Sequence, residues 1–184
     1  ISFLLALPLP LAVGSIGLAA GSGPGTGFTA AVAQGLIAAA AVLFVLSGFR
    51  VLARPDGVFQ RHFGWRPQPC RQLRFHLSWF MAVEATVAFV FTAALASDDL
   101  VIKYGIGRLA FVISSVAIAL FAFHYLKPRG GIAVSVSEST PAIPGLKILF
   151  FVLVTAPLAV GVMPLFGYYE AVIALQTRIF QSGI

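Results

Sequence analysis

The stretch FTAAVAQGLIAAAAVLFVLSGF, Phe28 to Phe49, runs for 22 residues without a charge or a proline. As a helix it would be about 33 Å long at the standard rise per residue. The hydrocarbon core of a bilayer is about 30 Å thick, and an uncharged apolar run of this length is the signature of a spanning helix. The rest of the chain agrees. Hydrophobic residues make up 59% of the 184 positions and charged residues 10%, against roughly 45–50% and ~25% in soluble domains. A soluble fold of this size has too little interior for so much apolar side chain.

Four further runs flank this one. Upstream lies SFLLALPLPLAVGSIGLAA, Ser2 to Ala20, uncharged but carrying Pro8 and Pro10. The two runs are joined by GSGPGTG, Gly21 to Gly27, a composition suited to a turn. Downstream come Leu77–Ala96, Leu109–Leu126 and Ile148–Phe166, the last with Pro157 and Pro164, which are expected to bend it. The tail, residues 167–184, is amphipathic and is expected to lie in the interface. The expected fold is therefore all-α and integral to the membrane, a single domain of about five spans over 2–20, 28–49, 77–96, 109–126 and 148–166. The chain opens on Ile1, without Met or a secretory signal pattern, as a fragment of a longer protein would. The single Cys70 excludes an internal disulfide, and no internal repeat is evident.

Charge placement sets the orientation. Between Arg54 and His76 the sequence RPDGVFQRHFGWRPQPCRQLRFH holds five of the twelve basic residues, Arg54, Arg61, Arg66, Arg71 and Arg74, with Asp56 its one acid. Arg50 precedes it, and Lys127, Arg129 and Lys147 follow the fourth run. The other side has the uncharged glycine turn, then Asp98 and Asp99 offsetting Lys103 and Arg108, then Glu170 and Arg178. Nine basic residues fall on one side and three on the other, which by the positive-inside rule makes the basic side cytoplasmic. The net charge of +6 therefore belongs to loops at headgroup level, with no nucleic-acid partner expected.

The basic segment, 50–76, is the first candidate site. Pro55 and Asp56-Gly57 favour a tight reversal. Phe59, Phe63 and Trp65 interleave with the arginines as an interfacial segment requires. Pro67 and Pro69 suit a helix start, which would set Arg71 and Arg74 on one face, within reach of lipid phosphate. Topology and anchoring account for these residues; a specific anionic-lipid pocket is the sharper alternative. His62, Cys70 and His76 match no metal-binding spacing.

Glu84 stands near the middle of the third run, where an ionisable group suggests function by default. It is either a coupling site or a protonated, locally hydrogen-bonded carboxyl at a helix interface, with Ser114, Ser115, Thr86 and His124 as the available polar neighbours. Ala31, Gly35 and Ala39 place small residues at four-residue spacing, which lets helix backbones approach closely. No nucleotide-binding loop, HExxH or GxSxG pattern is present, so no catalytic residue, cofactor or metal is expected and the chain does not read as an enzyme.

Three stretches carry a resemblance. RPDGVFQRHFGW (Arg54–Trp65), GRLAFVI (Gly107–Ile113) and APLAVGVMPLFGYYEAVIALQTRI (Ala156–Ile179) resemble segments of the large bacterial mechanosensitive channels of the MscS superfamily, the MscK-like kind with many extra membrane helices. The resemblance covers about two thirds of the chain, from Arg50 onward. It implies a peripheral inner-membrane domain around a heptameric channel, whose pore helix and cytoplasmic vestibule lie in other parts of the chain. The implied role is to sense tension and release ions and solutes on osmotic downshock, with membrane lipids as partners. Two rivals stand beside it: a secondary transporter domain coupled through Glu84, and a structural membrane subunit.

Overall fold

The computed structural model describes residues 6–23, 27–97, 99–127, 146–166 and 178. The centre of the glycine turn, Asp98, the connection carrying Arg129 and the tail apart from Arg178 lie outside the described residues. The helices are α1 (Pro8–Gly21), α2 (Gly27–Leu52), the single turn α3 (Val58–Arg61), α4 (Pro67–Leu95), α5 (Gly107–Leu126) and α6 (Leu146–Val162). A π-helical turn, Ile102–Ile106, leads into α5, and a 3-10 turn, Met163–Phe166, ends α6. No strand occurs among the described residues. This is an all-α membrane fold. The segments Gly27–Leu52, Pro67–Leu95 and Ile102–Leu126 are long and apolar enough to cross a bilayer, whereas Pro8–Gly21 and Ile148–Val162 are shorter apolar helices.

Local chemistry explains the helix ends. Pro8 and Pro10 open α1 rather than interrupt it: the first-turn N–H groups have no intrahelical partner, so proline costs little there. Pro67 and Pro69 do the same for α4, which starts ten residues before its apolar run. Its 29 residues make about 43 Å of helix, well beyond the bilayer core. The excess is the basic end with Arg71 and Arg74. Pro157 lies inside α6, and Pro164 is buried in the 3-10 turn.

Packing follows chain order. The extensive contacts join α1 to α2, α2 to α4, α4 to α5 and α5 to α6. A bundle would need equally large contacts between α1 and α4 or between α2 and α5. The helices therefore form a row one helix thick. Burial agrees: only 28%, 22% and 33% of the apolar windows in the three long segments is buried, and large apolar side chains such as Leu18, Phe44, Ile113 and Phe151 are exposed. In water such a layer would have no core to hold it. In lipid the exposed faces cost nothing, and association rests on close seams.

The seams run in antiparallel register, lined by small residues along α1/α2 and by aromatic and polar pairs along α4/α5. Along α1/α2 the pairs are Ala6–Ser47, Gly14–Ala40, Gly17–Leu36 and Gly21–Ala33. Along α4/α5 they are His76–His124, Phe80–Phe121, Glu84–Ser114 and Phe91–Phe111. At α2/α4 a Cβ added to Gly35 would lie 2.8 Å from the Phe89 ring and 2.8 Å from its carbonyl oxygen. At α5/α6 a Cβ on Gly161 would sit 2.5 Å from Ser115 Cβ and 2.8 Å from its Oγ. Gly161→Ala should therefore push α6 off α5 and destabilise the fold by about 1–3 kcal/mol. Ser115→Gly in the same chain removes the opposing atoms and should recover most of the loss. Thermal unfolding of the four forms of the cycle checks this, and additive effects would refute the contact.

Candidate functional site: the basic connection and its seams

The chain leaves α2 through a turn built around two close approaches. Arg54 N–H donates to Val51 O at 3.1 Å and Gly57 N–H to Arg54 O at 2.9 Å. Asp56 adopts a positive φ of 56°, which Asp tolerates better than most residues. A Cβ at Gly57 would lie 2.7 Å from both the Arg54 and Leu52 carbonyl oxygens, so only glycine fits. Gln60 Oε1 accepts from Asp56 N–H at 2.9 Å and ties the turn to α3. Gly64, at φ +65°, then reverses the chain into α4.

This connection folds back onto the helices. Trp65 N–H donates to Phe59 O at 3.1 Å, and the two rings stack with centroids 4.6 Å apart. Both rings, with Leu46, Phe121 and Tyr125, pack against the buried trio Ala53, Leu73 and Leu77. Ala53 is 0% exposed. This buried cluster thus sits at the basic end of the layer, where α2, α3, α4 and α5 converge. Such an aromatic stack adds about 0.5–1.5 kcal/mol beyond its burial. Trp65 is spent on this cluster as much as on the interface.

The arginines divide into two groups. Arg61, Arg66 and Arg71 are exposed, while Arg50, Arg54 and Arg74 are half-buried. Arg71 and Arg74, three residues and about 60° apart around the helix, sit on one side of α4, with Arg71 exposed and Arg74 half-buried toward the layer. The Nε atoms of Arg50 and Arg74 are shielded and lack a hydrogen-bond partner among the described residues.

The histidines separate. His62 is exposed, Cys70 is buried, and His76 enters the α4/α5 seam, its ring centroid 4.8 Å from that of His124. Trp79 Nε1–H donates to His76 Nδ1 at 3.2 Å. His124 Nδ1 lies 2.8 Å from Leu120 O, and because a carbonyl only accepts, that nitrogen carries its proton. Among the described residues no three His, Cys, Asp or Glu side chains assemble as a metal site. The His76–His124 contact had no signal in the sequence, since the two residues are 48 positions apart and share no motif.

Glu84 also lies on the α4/α5 seam. Ser114 Oγ–H donates to Glu84 Oε2 at 2.9 Å, while Oε1 is shielded and without a partner among the described residues. Ala31, Gly35 and Ala39 are buried on α2. Beside the outer half of α4, away from the basic end, two open apolar clefts of ≈ 420 and ≈ 490 Å³ meet at Val90 and Ile106. The π turn contributes Ile106 to both.

The whole chain, residues 1–184, matches the family described as mechanosensitive ion channel inner membrane domain 1. It is similar to the miniconductance mechanosensitive channel MscM of Escherichia coli (strain K12), with 26% identity over 184 residues. That alignment covers 98% of this chain and 16% of the relative, so the chain spans about a sixth of that protein's length. No solved structure matches it. A row of apolar helices and a family match over its full length agree: the chain belongs to the inner-membrane domain family of mechanosensitive ion channels.

Proposed function

We propose that this layer is the tension-responsive periphery of a mechanosensitive channel that releases ions and small solutes on osmotic downshock. The observation that carries the proposal is the architecture. A row one helix thick exposes apolar side chains on both faces, so lateral tension acts on it directly. Tension biases a closed–open equilibrium only through a difference between the two shapes. Small-residue seams let the helices shift against one another, and the aromatic cluster at the basic end holds one edge fixed. In this reading the basic connection is cytoplasmic, supported by the nine-to-three charge asymmetry. The shorter helices α1 and α6 complete the five spans, Pro157 and Pro164 serve as bends, and Arg54, Arg61, Arg66 and Arg71 meet headgroups. The pore is supplied by other parts of a longer chain, assembled as a heptamer.

One observation favours a second reading: the shielded, half-satisfied Glu84 carboxyl inside a spanning helix. A secondary transporter would use it for coupling. Both readings meet in one experiment on the full-length protein reconstituted in liposomes. The channel reading expects suction-activated current in patches and a tension threshold that Glu84→Gln leaves nearly unchanged, because the amide still accepts from Ser114. The absence of current up to lytic tension, with substrate-driven proton flux that Glu84→Gln abolishes, would overturn it.

A further inference from the structure

The antiparallel register of the α2/α4 seam has an unusual terminus. From Gly35 on α2, opposite Phe89 on α4, positions facing across the seam recur at matching spacings. On α2 they are Gly35, Ala39, Leu46 and Arg50; on α4 they are Phe89, Ala85, Ser78 and Arg74. Steps of four, seven and four residues keep to one helix face. Ala39 and Ala85 are buried, as this register requires. At the level of Arg74 the seam is closed by Ala53 packing with Leu73 and Leu77. This register sets Arg50 and Arg74 at one level of the seam.

Neither has an anionic neighbour among the described residues. Asp56 is the only acid in the first 83 residues, and it is exposed on the turn. The carbonyls at the end of α2 are engaged: Phe49 O accepts from Ala53 N–H and Val51 O from Arg54 N–H. Both Nε–H groups are shielded and unpaired among the described residues. A buried donor without a partner costs free energy, and two like charges at one level repel. Both costs vanish when a single tetrahedral oxyanion lies between the side chains. Arginine offers Nε–H and a neighbouring Nη–H as a fork that fits two oxygens of a phosphate.

We propose that Arg50 and Arg74 together hold one phosphate-bearing group across the α2/α4 seam. The group is either the headgroup phosphate of an anionic phospholipid or soluble phosphate. The lipid source rests on the headgroup-level placement of the basic connection proposed above; the anion site itself does not. Its occupant bridges the first two long helices of the layer at their basic end, so its loss frees that seam.

The test uses the purified full-length protein in nanodiscs of phosphatidylcholine doped with phosphatidylglycerol, with retained lipid counted by native mass spectrometry. A parallel sample in phosphatidylcholine alone is titrated with inorganic phosphate and followed by phosphorus NMR. The Arg50→Gln/Arg74→Gln variant should lose retention on the order of ten-fold, as expected when charge-assisted hydrogen bonds are removed. The charge-matched Lys127→Gln/Arg178→Gln variant, altered at exposed positions outside the 50–76 connection, should keep it. Arg50→Lys/Arg74→Lys preserves charge but not the fork, and should fall between the two while retaining the wild-type melting temperature. Loss in the nanodisc arm assigns the site to lipid, and loss in the phosphate arm alone assigns it to the soluble anion. Equal retention by the two glutamine variants in both arms would overturn the proposal. Because neither arm requires the channel to open, a failed tension recording leaves this result intact, and the converse also holds.

Discussion

Gly35→Leu is expected to separate α2 from α4. Even a Cβ at this position would approach the Phe89 carbonyl oxygen to 2.8 Å, and that oxygen is fixed in the backbone of α4. The Phe89 ring, 2.8 Å away on the same side, could rotate; the carbonyl cannot. Overpacking of this kind costs about 1–3 kcal/mol at sites that yield by small shifts, and occasionally more. This site belongs to the upper range, because the seam is a backbone-to-backbone approach with no side-chain slack. In lipid no hydrophobic pressure pushes the helices back together, and contact depends on packing alone. The full-length protein should lose thermal stability in detergent and in lipid, and surviving channels should gate at an altered tension. Gly23→Leu, at a glycine with open space around its Cβ position, is the matched control and should change little. A Gly35→Leu protein as stable as that control would remove the close α2/α4 seam from the structure.

The second large effect is expected at the basic end. Leu73 is 6% exposed and packs with Ala53 and Leu77 beneath Phe59 and Trp65. Leu73→Ala should leave a cavity and cost about 2–5 kcal/mol, the range for buried leucines that cannot be refilled. The loss should be local first, because this cluster is what holds the 54–66 connection to the helices. Trypsin should then cut faster after the exposed Arg61, which His62 follows, in inverted membrane vesicles carrying the full-length protein. Phe75→Ala, on the same turn of α4 but 70% exposed, should leave the cleavage rate near wild type. Equal rates for both variants would show that the connection is not pinned by this cluster.

Several features follow from residues read one helix at a time. The uncharged run of α2 requires a spanning helix because the unpaired backbone of any other conformation cannot exist in hydrocarbon. Pro67 and Pro69 mark the start of α4, since proline lacks the N–H that a first turn does not use. The Pro55–Gly57 turn was legible because few residues fit its backbone. The small-residue stripe of Ala31, Gly35 and Ala39 was visible too, but its partner was not. Small residues at four-residue spacing accept any helix that can approach, and nothing in α2 alone specifies Phe89.

Hydropathy likewise could not say whether the helices form a bundle or a row. In a soluble protein the apolar face of a helix marks the inside, but helices that are apolar all round carry no such label. Tertiary contacts alone decided that each long helix meets its chain neighbours and leaves two faces to lipid. The same holds for side chains far apart in sequence. His76 and His124, and Glu84 and Ser114, each became a pair only when antiparallel register fixed which levels face each other. By itself the sequence determined that this chain lives in a membrane and that its fold is all-α, because those follow from the solvation of single segments. The tertiary structure decided which residues meet, because seams between helices in lipid are chosen by shape, and shape is a property of the pair.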